Sequence, residues 1–118
     1  MKEVSTTIKH KDKEYKLVFN LNVMEKIQDE YGTINKWGEL TDGAKGEVNI
    51  KALVFGLTEM INEGIDIANE DNGTNDPLLS HKKVARILSE IGVDNATKEL
   101  NSVVIESVKD KDADGKNE

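Results

Sequence analysis

The sequence predicts an α+β fold, with an N-terminal β-hairpin packed on a small bundle of four to five mainly amphipathic helices. Three observations lead there. Two short β-prone runs flank a polar tetrapeptide near the start of the chain, apolar residues switch to helical spacing after it, and Asn, Ser and Gly stand where helix caps belong. With 118 residues the chain has material for one ordinary domain and not for two. No repeat at a fixed period is visible, so residues 1–109 read as a single compact domain and residues 110–118 as a flexible acidic C-terminal tail.

The hairpin comes from Thr6-Thr7-Ile8-Lys9-His10 and Tyr15-Lys16-Leu17-Val18-Phe19, set around Lys11-Asp12-Lys13-Glu14. Alternation places Tyr15, Leu17 and Phe19 on one face, joined by Ile8 and Thr6. A two-stranded hairpin is not stable alone, so that face must cover helices. From Asn22 the period changes. Asn22 can cap, Glu25 is its reciprocal partner three residues on, and Val23, Met24, Ile27 and Tyr31 recur at helical spacing before a stop at Gly32. Thr33 to Leu40 form a short second helix carrying Ile34 and Trp37. The Thr41-Asp42-Gly43-Ala44-Lys45-Gly46 turn follows, and its glycines predict a mobile loop.

Asn49 opens a stronger helix of about 14 residues, with Ile50, Leu53, Val54, Leu57, Met60 and Ile61 on one stripe and Gly64 after its end. Phe55 points off that stripe, so this helix is either central in the core or offers part of itself to a partner. Residues 65–77 read as a polar loop with helical turns at its start. Ser80 then caps His81 to Ile91, whose buried stripe is Val84, Ile87, Leu88 and Ile91, and Gly92 ends it. Asp94 or Asn95 caps the last helix. Its inner face is Ala96, Leu100, Val103, Val104 and Val108, with Ile105 off that face.

Composition narrows the function. Sixteen Lys and Arg against 23 Asp and Glu give a net charge of −7, which repels a phosphate backbone, and the one basic cluster, Lys9, Lys11, Lys13 and Lys16 beside Tyr15, lacks stacking aromatics. No nucleic-acid partner is expected. The N-terminus lacks a signal-peptide core, and no apolar run approaches the ~20 residues that span a bilayer, so no membrane association is expected either. The absence of Cys excludes disulfides, thiolate metal sites and a Cys nucleophile, and fits a reducing compartment.

The familiar chemical motifs fail one by one. His10 and His81 have no second His at ligand spacing, and Ser80 with His81 is a helix cap and its neighbour, not a dyad. Gly43 and Gly46 are not followed by the Lys-Ser/Thr of a phosphate loop. The carboxylate pairs Glu25 with Asp29 and Glu59 with Glu63 read as solvated helix faces. Asp110-Lys111-Asp112-Ala113-Asp114-Gly115 matches the first six positions of a calcium loop, but the chain ends at Glu118, before the bidentate acid at position twelve. No catalytic residue, cofactor or metal is therefore expected, and the protein reads as non-enzymatic.

The order of segments is more informative. The run from Tyr15 through Asn22-Val23-Met24 to Tyr31-Gly32, then Ile34 to Trp37, the helix Ile50 to Ile61 ending Asn62-Glu63-Gly64, and Leu78-Leu79-Ser80-His81-Lys82-Lys83-Val84-Ala85-Arg86-Ile87-Leu88 resembles the tail assembly chaperones of long-tailed, siphovirus-like phages and prophages. The resemblance covers roughly residues 4–108 and is one of layout, since these families carry no catalytic signature. It implies a protein that acts in the bacterial host cytoplasm, binds the tape measure protein and keeps it soluble, and helps recruit tail tube subunits during tail morphogenesis. It also implies a longer form made by frameshifting, attached where the acidic tail lies.

A chaperone for a helical client needs apolar surface outside its own core. The residues off the buried stripes are Trp37, Phe55, the Leu78-Leu79 pair and Ile105, and these are the candidate partner-binding residues, each with the alternative that a small mixed fold simply buries it. Off-stripe apolar residues also suit a homo-oligomer. The competing reading is a small virion structural or head-tail connector protein, which would stay in the finished particle.

Overall fold

In the computed structural model, backbone is described for residues 5–43 and 46–116, and side chains for 6–43 and 46–107. Strands β1 (Ser5–His10) and β2 (Lys13–Val18) pair antiparallel, followed by helices α1 (Leu21–Tyr31), α2 (Ile34–Thr41), α3 (Ile50–Asn72), α4 (His81–Ile91) and α5 (Val93–Lys116). This is the α+β fold the sequence predicts. The strand register sets Thr6 opposite Leu17 and Ile8 opposite Tyr15, so the expected face is formed. The connection is tighter than the tetrapeptide suggested: His10 pairs with Lys13, and Lys11 takes up a positive φ of 57° in a two-residue turn that has no glycine.

The hairpin and the helices meet on α3, which packs against β2, α1, α2 and α4, while α5 closes over β1, β2 and α4. Leu53, Leu57, Met60 and Ile61 of α3 are buried with Leu17 and Phe19 of the hairpin end, Ile27 of α1, Val84 and Leu88 of α4, and Leu100 of α5. Phe19 stacks on Trp37 with ring centroids 6.3 Å apart and an interplanar angle of 12°.

Several boundaries differ from the sequence reading, each for a local reason. The cap of α1 is Asn20, not Asn22: Asn20 has extended backbone and its Oδ1 accepts the Val23 N–H at 3.2 Å. Buried Phe19 brings the chain into the helix two residues early, and Val23 and Ile27 face the core in either register. Asn22, inside the first turn, donates its side-chain amide to Glu63 Oε2 at 2.9 Å instead, and Asn20 Nδ2 donates to the same oxygen at 2.7 Å. Gly32, with φ of 90°, ends α1 as expected, and Thr33 caps α2 through the Lys36 N–H.

Helix α3 has 23 residues, and Gly64 lies inside it. The expected stop there is overturned, and the expected loop begins at residue 73 instead of 65. Gly64 serves close approach: a Cβ on it would stand 2.7 Å from the Lys16 carbonyl oxygen of β2. Gly56, two turns earlier, lies under the Trp37 indole, where a methyl group would overlap the ring. Asn49 caps the helix through the Ala52 N–H, and the left-handed Gly73 ends it. Ser80 caps α4 as expected, accepting the Lys83 N–H at 3.1 Å.

The last helix begins at Val93, before the expected cap at Asp94 or Asn95. The Ala96 N–H reaches the Gly92 carbonyl at 3.0 Å, and the Asn95 side chain turns back to donate to the Ile91 carbonyl at 2.9 Å. Ala96, Leu100 and Val103 form its buried face, Val104 is half-buried, and Ser107 joins them, donating to the Val103 carbonyl at 2.9 Å. Helical backbone continues to Lys116, through much of the segment expected as a tail and through the Asp110 to Gly115 pattern. The side chains of residues 108–118, Val108 among them, lie outside the described residues, as does part of the expected turn at 41–46.

Candidate functional site

The five candidate partner-binding residues do not converge on one surface. Trp37 is 1% exposed; its Nε1 donates to the Ala52 carbonyl at 3.0 Å and its ring is held between Phe19 and Gly56. It is a core pillar joining α2 to α3, and its place as a surface candidate is corrected on that ground. The indole N–H finds its partner inside the fold. Ile105 is exposed on α5, and Leu78 is exposed in the segment before α4. Leu79 is half-buried, its N–H donating to Asn62 Oδ1 and its carbonyl accepting from Asn62 Nδ2.

Phe55 leads to the most distinct surface feature. It is half-buried and meets Tyr31 edge-on, with centroids 5.6 Å apart at 74°. Tyr31 in turn lines a groove of about 490 Å³ with Glu30, Lys36, Glu39, Leu40 and Glu47. The groove runs from the C-terminal end of α1 along α2, and its far side is the segment leading into α3. That segment is tied down by the Asn49 N–H, which donates to the Leu40 carbonyl at 2.8 Å. Among the described residues, Tyr31 and Leu40 are its apolar residues, and the charged ones are Glu30, Lys36, Glu39 and Glu47, all exposed. Burial, with the nearby Glu30 charge adding to it, raises the Tyr31 phenol above its ordinary range, so it stays neutral at physiological pH.

A second groove, of about 300 Å³, runs between α1, α3 and Leu78, with Asn22, Lys26, Glu59, Asn62, Glu63 and Asp66 in its lining. Three of its polar groups hold the fold: Glu63 takes the amides of Asn20 and Asn22, and Asn62 holds Leu79. Among the described residues no group of three or more His, Asp or Glu side chains is placed to hold a metal ion. No helix of the described residues is long and apolar enough to cross a membrane.

Elsewhere, His10 Nε2 bonds Glu90 Oε2 at 2.9 Å, joining the hairpin tip to α4. That hydrogen bond, helped by the charges of Lys11 and Lys83, holds the Glu90 carboxyl below its usual range.

Tyr31 and Leu40 were missed as groove residues because periodicity only set Tyr31 at helical spacing with Val23, Met24 and Ile27 and gave Leu40 no role. A signal was present: Glu30-Tyr31 and Glu39-Leu40 repeat an acid-then-apolar pair at the ends of successive helices. Compared with protein-family models, curated proteins and solved structures, the chain matches none.

Proposed function

We propose that this protein is a non-enzymatic phage tail assembly chaperone that binds the tape measure protein and helps recruit tail tube subunits in the bacterial host cytoplasm. The observation that carries the binding role is the groove at Tyr31 and Leu40, whose apolar side chains are set among charged ones and which suits a polypeptide segment. The choice of client rests on the segment order over roughly residues 4–108, which resembles that of tail assembly chaperones. The exposed large apolar side chains Leu21, Leu40, Ile50, Leu78 and Ile105 support a protein that associates with others.

The test is co-expression with the tape measure protein of the same phage or prophage, followed by affinity capture and by mass spectrometry of purified particles. A chaperone retains the tape measure protein, raises its soluble fraction and is absent from finished particles. Failure to retain soluble, intact tape measure protein at micromolar concentration, with this chain present in particles, replaces the reading with that of a virion structural or connector protein.

A further inference from the structure

We propose that Asn72 is a self-modification site: its side-chain amide is displaced by the Gly73 nitrogen to give a succinimide, then aspartate or isoaspartate, and the last turn of α3 gates the reaction through Asn69. The proposal is independent of the chaperone reading and stands on the C-terminal end of α3 alone.

Asn72-Gly73 is the one Asn-Gly pair in the chain. Glycine is the residue whose nitrogen approaches a preceding amide carbon most freely, because it has no Cβ and a permissive backbone. Both residues are exposed, and nothing lies within 4 Å of where a Gly73 Cβ would stand, so water reaches the site and a ring has space to form. The Gly73 nitrogen attacks Asn72 Cγ. A bond forms between them, the Cγ–Nδ2 bond breaks, and the proton of the Gly73 N–H passes through solvent to the departing nitrogen, which leaves as ammonia. Water then opens the ring. Attack at Cγ gives aspartate, and attack at the main-chain carbonyl gives isoaspartate.

The fold holds this reaction back. Asn72 is the last residue of α3, and ring closure needs its Cβ, Cα, C and the Gly73 nitrogen nearly coplanar, a ψ that helical backbone does not have. The attacking nitrogen is also engaged: the Gly73 N–H donates to the Asn69 carbonyl, as does the Thr74 N–H at 3.0 Å. The Asn69 side chain locks the turn from outside. Its Oδ1 accepts from Thr74 Oγ1 at 2.9 Å and from the Asp76 N–H at 3.0 Å, and its Nδ2 donates to the Asp76 carbonyl at 3.0 Å. Only an opened last turn reacts, and such an exposed helix end opens far more often than the core around Met60 and Ile61.

The product acts back on the same turn. It sets a carboxylate at the negative end of α3, next to Asp71, and isoaspartate adds a methylene to the backbone at the cap. Each converted molecule holds residues 73–79 less firmly against α3.

The test incubates the full chain in mildly alkaline buffer, native and in guanidinium chloride. Conversion is followed by peptide mapping with mass spectrometry and by labelling with an isoaspartyl methyltransferase. Mapping separates Asn72 from Asp42-Gly43 and Asp114-Gly115, which isomerise without a change of mass. Native Asn72 is expected to convert, at least about tenfold more slowly than in denaturant. Asn69→Ala is expected to speed native conversion at least about threefold, with faster hydrogen exchange at Gly73 and Thr74 and an unchanged rate in denaturant. Gly64→Ala, which strains the fold at the Lys16 carbonyl and leaves the last turn intact, is expected not to speed it.

No conversion of native Asn72 over a period that exhausts the denatured chain overturns the site. Equal native and denatured rates, an unchanged rate in Asn69→Ala, or equal acceleration by Gly64→Ala overturns the gate, the last because global unfolding then controls the reaction. Undiminished hydrogen-exchange protection across residues 73–79 in the purified isoaspartate product overturns its effect on the turn.

Discussion

The side-chain amide of Asn62 closes a two-point pairing with the backbone of Leu79: its Oδ1 accepts the Leu79 N–H at 2.8 Å and its Nδ2 donates to the Leu79 carbonyl at 2.9 Å. Seven residues on, Asn69 does the same to Asp76, accepting its N–H and donating to its carbonyl, both at 3.0 Å. The two asparagines lie on one face of α3, two turns apart, and zip the returning segment back along the helix. A stretch with little apolar burial thus gets its path from side chains that imitate a strand partner.

Removing that pairing should loosen the segment before it unfolds the domain. Asn62→Ala breaks two partly buried hydrogen bonds and is expected to cost about 1–3 kcal/mol in urea unfolding. Asn69→Ala, whose bonds are exposed, is expected to cost less than about 1 kcal/mol. Native-state hydrogen exchange should show lost protection at Leu79 in the first and at Asp76 in the second, with the α3 core amides less affected. Asn62→Asp keeps an acceptor but loses the donor and sets a carboxylate against the Leu79 carbonyl, so it should be no milder than Asn62→Ala.

The helix glycines give an experiment decided by sign. In a helix interior, Gly→Ala ordinarily stabilises by about 0.5–1 kcal/mol. Gly38 of α2 has open space where a Cβ would go, so Gly38→Ala should show that gain. Gly64→Ala sets a methyl 2.7 Å from the Lys16 carbonyl oxygen, and Gly56→Ala drives one into the Trp37 ring, so both should destabilise by about 1–3 kcal/mol despite better propensity. Stabilisation at Gly64 would mean that β2 does not lie against α3 there.

These same glycines explain which parts of the fold could be read from sequence. Periodicity and caps located the hairpin face, the caps Asn49 and Ser80, and the stops Gly32 and Gly92, because each is a local interaction within a few residues. Gly64 was misread because a glycine that ends a helix and one that lets a strand cross it are the same residue in sequence. The contact that distinguishes them comes from Lys16, far away along the chain. Trp37 shows the same limit at the candidate site: spacing left it free of a stripe, whereas its partners Phe19, Ala52 and Gly56 belong to other elements. Leu78 and Ile105 were legible as exposed apolar residues. The Tyr31 and Leu40 groove was not, because it exists only once α1 and α2 are set beside each other.

Trp37 also supplies a direct readout of the core. As the single tryptophan, buried against Phe19, it should emit at short wavelength in the native state and shift to the red on unfolding. Trp37→Phe keeps much of the stacking but loses the hydrogen bond to the Ala52 carbonyl and leaves space over Gly56, with an expected cost of about 1–3 kcal/mol. Trp37→Ala should cost about 3–5 kcal/mol, a large share of the stability of a domain this size. A neutral Trp37→Ala in thermal or urea unfolding would place the indole at the surface after all.

The link between His10 and Glu90 makes a statement about acid stability. The His10 hydrogen bond, with Lys11 and Lys83 nearby, lowers the folded pKa of Glu90 below the unfolded value near 4.5. Between the two values the unfolded chain binds more protons than the folded one, so stability rises with pH through that window. The contribution is fully present above the unfolded pKa and is lost as pH falls through the folded one. Glu90→Gln cannot ionise, so its stability should fall less steeply than that of wild type as pH is lowered through the carboxylate range. Because Glu90 is exposed, the difference should shrink as salt is added. Urea midpoints for the two proteins across that pH range, at low and high salt, provide the check; parallel acid limbs would mean that the hairpin tip and α4 are not coupled through this pair.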